Sequence, residues 1–202
     1  MIQDIVVAIT GASGAAYARR LVDVLADRLD RVHLVVSPHG AQVAAMELGA
    51  NLNASDFSVE EFLGRRAQTV TVHHHRDMAA PIASGSNTAG AMVVVPCSMR
   101  TLGCIAGGCG DNLIHRAADV MLKEQRPLII VPRETPLSAI HLENMLRLAR
   151  AGACVMPAAP AFYHNPQCID DLVDFVVARV LHRLGIQSDL LEPWRSAEAS
   201  EG

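Results

Sequence analysis

The chain is poor in aromatic residues and carries no excess of positive charge. One tryptophan, two tyrosines and four phenylalanines among 202 residues are too few for the stacking platforms that single-stranded nucleic acids need. Lysine and arginine number 17 against 21 aspartates and glutamates, a formal net charge of −4, so nucleic acid is a poor candidate partner. No apolar run approaches the length of a membrane span. Met1 leads almost at once into an apolar run at 5–9, with no basic n-region and no small-residue cleavage site, and a cytoplasmic location is therefore expected. The five cysteines are odd in number and include no CxxC pair, which favours reduced thiols over a disulfide framework.

What the chain does have is aliphatic bulk: 50% of it is hydrophobic, mostly Ala, Val, Leu and Ile. That composition suits parallel strands covered by helices on both faces, and the length favours one domain. Short apolar runs at 5–9, 33–36, 68–72, 91–95, 128–131 and 154–156 read as strands, with 68–72 at an edge and Pro96 closing the fourth. Helical periods at 13–29, 39–48, 59–63, 112–124, 138–150 and 169–184 alternate with them. Asp111 and Ser138 stand where N-caps belong. The alternation predicts right-handed βαβ units and an α/β fold, a doubly wound, Rossmann-like or flavodoxin-like parallel sheet. Residues 1–185 form the domain, and 186–202 are a polar tail. Trp194 in that tail suits either a contact with a neighbouring subunit or a simple anchor.

In such a sheet, ligands bind beyond the carboxyl ends of the strands. Arg133 and Glu134 stand there side by side after the run 128–131, and Pro136 is expected to start the next helix. After the first strand comes Thr10-Gly11-Ala12-Ser13-Gly14-Ala15, small enough for a close backbone approach to a phosphate or a flavin edge, or simply a bare turn. Its G-x-x-G spacing is not the dinucleotide fingerprint, and Ser37 stands where an acidic residue would be needed. Pro96-Cys97-Ser98-Met99-Arg100-Thr101 is a third turn, with hydroxyls and a cation for an anion, opening onto the glycine-rich stretch 103–110. On the helix after Asp111, Asn112, Arg116, Asp119 and Lys123 share one face, as a solvated stripe or as a cationic wall. Tyr163 and Arg179 say little alone. Three consecutive histidines, His73 to His75, point to alternate faces of an extended chain and cannot share one ion. Cys104 and Cys109 lack ligand spacing, so no metal is expected.

Taken together, these stretches resemble the flavin prenyltransferase family, the UbiX type. The matching segments are GASGAAYARRL (11–21), APIASGS (80–86), PCSMRTLGCIA (96–106), DNLIHRAADVMLKE (111–124), RETPLSAIHLENM (133–145) and PAFYHNP (160–166), followed by VVARVL (176–181). RAADVMLKE together with RETPL and PAFY is specific, and the resemblance runs in order from first strand to last helix. Ala18, where the family commonly has glycine, and the 107–110 run depart from its pattern.

The resemblance implies a metal-independent transferase. It prenylates reduced FMN from dimethylallyl phosphate at N5 and C6, and the prenylated FMN serves UbiD-type decarboxylases in ubiquinone synthesis or aromatic-acid breakdown. It implies FMN contacts at Gly11, Ala12, Ser13, Ser37, Ser98, Met99, Arg100, Thr101 and Arg133. Tyr163 and Arg179, with Lys123 and Arg116, would hold the donor phosphate. Glu134 is the implied acid–base group, Ser13 lies near N5, and Glu47 is a second carboxylate. The implied assembly is a homo-oligomer, a trimer-based dodecamer with sites between subunits. The rival readings are an FMN-dependent cysteine decarboxylase and a non-catalytic FMN carrier.

Overall fold

The computed structural model describes residues 2–86 and 89–191; Trp194 and the rest of the tail lie outside the described residues. Six strands form one all-parallel sheet: β1 (Asp4–Ile9), β2 (Arg31–Val36), β3 (Val70–His73), β4 (Ala91–Cys97), β5 (Leu128–Pro132) and β6 (Cys154–Val155). Their order is β3-β2-β1-β4-β5-β6, the Rossmann order rather than the flavodoxin one. The helices are α1 (Ala15–Arg28), α2 (Pro38–Leu48), α3 (Val59–Leu63), α4 (Met99–Gly107), α5 (Leu113–Lys123), α6 (Ala139–Arg150) and α7 (Ile169–Arg183). β3 lies at the edge, as expected.

Alternation along the strands builds two cores. Ile5, Val7 and Ile9 face α1, α2 and α7, where Leu21, Leu25, Ala41, Val176 and Val180 are buried. Val6 and Ala8 face the other way, onto α4 and α5, with Leu102, Ile105, Ile114, Ala117 and Met121. Successive strand residues point to opposite faces, so one apolar run serves both cores.

Four details depart from the sequence expectation. β4 does not end before Pro96: it continues to Cys97, with a register irregularity between Val94 and Cys97. Proline has no N–H to give a ladder, and a bulge is where a strand tolerates it. α5 is capped by Asn112, not Asp111; the Asn112 side chain accepts the His115 N–H at 3.1 Å. Pro136 does not start α6, which follows Ser138 in a capping box with His141. The glycine-rich stretch is largely a helix, α4. Gly103 sits against α6, where a Cβ would come 3.4 Å from Asn144 Nδ2. α6 buries only Leu148, while Leu142 and Leu146, one turn apart on one side, and Ile140 on another are exposed, apolar surface of the kind subunits cover.

Candidate active site

The strand order reverses between β1 and β4, and the crevice beyond their carboxyl ends is the expected ligand position. Thr10 ties the two strand ends together. Its buried hydroxyl donates to the Pro96 carbonyl at 2.8 Å and accepts the Ser98 N–H at 2.8 Å. Gly11 lies so close to α2 that a Cβ there would sit 2.6 Å from His39 Cβ. Gly14 has φ of 119°, a left-handed conformation that other residues rarely adopt, and it turns the chain into α1.

Glu47, from α2, meets that turn. Its carboxylate accepts the Gly14 N–H at 2.9 Å and the Ala15 N–H at 2.7 Å. Burial would raise the Glu47 carboxyl, but hydrogen bonds from the Ser13 hydroxyl and the two N–H groups, with the charge of Arg133, outweigh it and hold it below the usual carboxylate range. The positive end of α1 is thus already answered by an anion. Of the two ligands left open for this turn, a neutral flavin edge suits it and a phosphate does not. Arg133, half-buried at the end of β5, donates from Nε to the Ser13 carbonyl at 3.2 Å.

Two neighbouring helix starts keep hydroxyls in the same crevice. The Ser37 side chain accepts the Gly40 N–H at 3.0 Å at the start of α2. Ser98 caps α4 by accepting the Thr101 N–H at 3.3 Å, and its hydroxyl lies 3.2 Å from Thr101 Oγ1. The remaining first-turn N–H groups of α4, with Arg100 on the same turn, suit an anion. FMN, with one uncharged ring edge and one phosphate, fits these residues: the small turn at 11–13 for the ring and the start of α4 for the phosphate. Glu134 is exposed, and its carboxylate accepts the Thr135 N–H at 3.1 Å.

The other candidates are not gathered by one chain. Arg116 on α5 donates to the Ala83 carbonyl at 2.9 Å and pairs with Asp119 at 2.8 Å. Lys123 bonds Glu124 and borders Gly85. Tyr163 and Arg179 line a groove of about 690 Å³ with His182, Ser188 and Asp189. α5 packs on one face of the sheet and α7 on the other. Arg179 is exposed, while its neighbours Val176, Val177, Ala178 and Val180 are buried.

Thr10 stood in the sequence only as the start of the GASG turn; its tie between the ends of β1 and β4 was not anticipated, although a hydroxyl closing an apolar run was a usable signal. The histidine run divides its contacts: His73 Nε2 lies 2.9 Å from His33 Nδ1, and the His74 and His75 ring centroids are 4.6 Å apart.

Residues 2–181 match the Flavoprotein family. The flavin prenyltransferase UbiX of Pseudomonas aeruginosa is 50% identical over 196 residues, 95% of this chain and 94% of that protein. Among solved structures, AnUbiX (PadA1) in complex with FMN and dimethylallyl pyrophosphate is 42% identical with a TM-score of 0.84, covering 97% of this chain and 99% of that one. A dodecameric FMN-dependent UbiX-like decarboxylase from Escherichia coli O157:H7 is 41% identical, also with a TM-score of 0.84, covering 96% of this chain and all of the other.

Proposed function

The chain belongs to the Flavoprotein family, among its flavin prenyltransferases, and we propose on that premise that dimethylallyl phosphate is its donor and reduced FMN its acceptor. The observation that carries this reading is the crevice in which Ser13, Glu47 and Arg133 meet beside Glu134. When bound, reduced FMN supplies the nucleophilic N5 and C6 to which the dimethylallyl group becomes attached.

The protein's part is positioning, charge and proton transfer. Gly11, Ala12 and Ser13 bring backbone and hydroxyl to the flavin edge, with the Ser13 hydroxyl fixed by Glu47. Ser37, Ser98, Met99, Arg100 and Thr101 hold the remainder of FMN. The allylic C–O bond breaks and its electron pair leaves with the phosphate. Arg179, Lys123 and Arg116, with the Tyr163 hydroxyl, receive that charge. The departing phosphate takes the proton lost from N5 and gives one to the dimethylallyl double bond, whose opened carbon becomes attached at C6; Glu134 takes the proton lost from C6 and returns it to the phosphate. Closure of the site keeps water from the allylic group.

Because Lys123 and Arg179 lie on opposite sides of the sheet, the donor end of the site is completed by neighbouring subunits. The exposed apolar surface of α6 is suited to such an assembly, and a trimer-based dodecamer accommodates it. In the cytoplasm the product passes to a UbiD-type decarboxylase.

The direct test incubates the protein with reduced FMN and dimethylallyl phosphate under anaerobic conditions and weighs the flavin. A mass raised by one dimethylallyl unit supports the reading. An unchanged flavin, with both ligands shown to bind, overturns it. Running dimethylallyl pyrophosphate in parallel identifies the preferred donor.

A further inference from the structure

Cys104 Sγ, an Asp111 carboxylate oxygen and a His115 ring nitrogen all lie within 4.8 Å of one another. The residues are distant from a ligand motif in sequence, and the turn between α4 and α5 brings them together. Gly108 follows α4 in the left-handed conformation, with φ of 72°. The Gly108 N–H donates to the Ile105 carbonyl at 3.1 Å and the Cys109 N–H to the Cys104 carbonyl at 2.9 Å. These two bonds define a Schellman turn, the geometry that brings the side chains flanking it into contact. Here the two positions flanking the turn are Cys104 and Cys109. Asn112 then caps α5 and sets His115 in the first turn, facing back toward α4.

His115 supplies a second, independent sign. It is only 6% exposed, and its Nδ1 is buried with no hydrogen-bond partner among the described residues. Its Nε2 has only Asn112 Nδ2, at 3.5 Å, which is long for a hydrogen bond. A buried imidazole left this way is costly unless something binds it.

We propose that Cys104, Asp111 and His115, with Cys109 as a fourth ligand, form a site for a thiophilic divalent cation of the zinc class. Thiolate, imidazole and carboxylate together favour zinc over the hard cations. Tetrahedral ligands at about 2.0–2.3 Å from an ion lie roughly 3.3–3.8 Å apart, so the side chains close by about 1 Å on binding. Each thiol releases its proton to solvent as it binds. Cys109 and Asp111 are exposed and form the entrance. The ion staples the end of α4 to the start of α5. Cys104 lies three residues beyond Thr101, about 4.5 Å along α4, so the ion sits behind the α4 end of the flavin crevice, a turn away from the residues that face FMN.

The test titrates metal-stripped, reduced protein with Co²⁺ as a spectroscopic probe, then displaces it with Zn²⁺. The expected result is a near-ultraviolet thiolate-to-metal band with the visible bands of a tetrahedral ion, saturating at one ion per chain. Cys104→Ser should weaken binding by more than the roughly 10–100-fold that loss of an outer-shell partner costs. Asp111→Asn, at an exposed position, keeps the fold and should weaken it about tenfold or more. Cys168→Ser, on the far helix, should leave the band intact. Absence of a thiolate band in the unsubstituted protein overturns the proposal, and so does undiminished affinity in Cys104→Ser and Asp111→Asn. Cobalt held only by His73 to His75 gives no thiolate band and counts against it.

Discussion

The two ends of the proposed site are built in different ways. At the flavin end, Thr10, Ser13, Ser98 and Arg133 from three strand ends and Glu47 from α2, all of one chain, are tied by bonds of 2.7 to 3.3 Å. At the donor end, Lys123 and Arg116 sit on one side of the sheet, Tyr163 and Arg179 on the other, and Glu134 is exposed between them. The lesson is that one fold can preorganise the surroundings of a planar ring edge alone. Gathering several cations around a phosphate costs electrostatic repulsion without the ligand, and in the proposed assembly that cost falls on association and not on the folding of one chain.

Substitutions should separate the two ends. The largest effect belongs to Glu134→Gln: turnover should fall about 10²–10⁴-fold, the usual worth of a general acid–base group, while FMN affinity holds. Wild-type turnover would remove Glu134 from its role. Next comes Arg179→Ala, which removes a charged hydrogen bond worth about 1.5–3 kcal/mol; catalytic efficiency with the donor should drop roughly 10–150-fold with flavin affinity unchanged. A matching loss of flavin affinity would erase the distinction between the ends. Glu47→Ala should act at the flavin end instead, weakening FMN binding and lowering stability by about 0.5–2 kcal/mol, the range for an anion at a helix start, as read by denaturant unfolding.

The smallest effect lies outside both ends and serves as a control. Burial, aided by nearby His73, lowers the His33 imidazole from 6.5 to about 4. Between those values the unfolded chain binds the proton and the folded chain does not. Its contribution to stability is therefore complete above pH 6.5 and declines as pH falls toward 4. His33→Gln should flatten the unfolding profile in that window and leave both ligand affinities alike.

How far the sequence reached depended on whether a signal was local. Aliphatic runs announced β1, β2, β4 and β5, because a buried parallel strand needs a continuous aliphatic stretch, while the part-exposed edge strand β3 showed only as alternating Thr and Val. Arg133 and Glu134 were legible because they follow such a run directly. α4 was hidden by Gly103 and Gly107, poor helix formers kept here by close packing on α6 and by a turn. Glu47 lies 33 residues from the N–H groups it binds, so no window could have joined them, and only family resemblance pointed to it. Tyr163 and Arg179 likewise carry no local mark. Cys104, Asp111 and His115 looked unrelated until a Schellman turn folded the first back onto the other two.

Complementation between subunits tests the central claim, that the chain prenylates flavin in pockets shared across subunits. Glu134→Gln and Arg179→Ala chains, each impaired alone, are co-expressed with different tags, and oligomers carrying both tags are isolated and assayed for prenylated flavin against both parents at limiting donor. If Glu134 and Arg179 meet from different chains, about a quarter of the sites regain both residues by random mixing, and prenylated flavin forms. If both residues of a pocket come from one chain, no mixed oligomer holds an intact site; a mixed oligomer no more active than its parents would contradict the account.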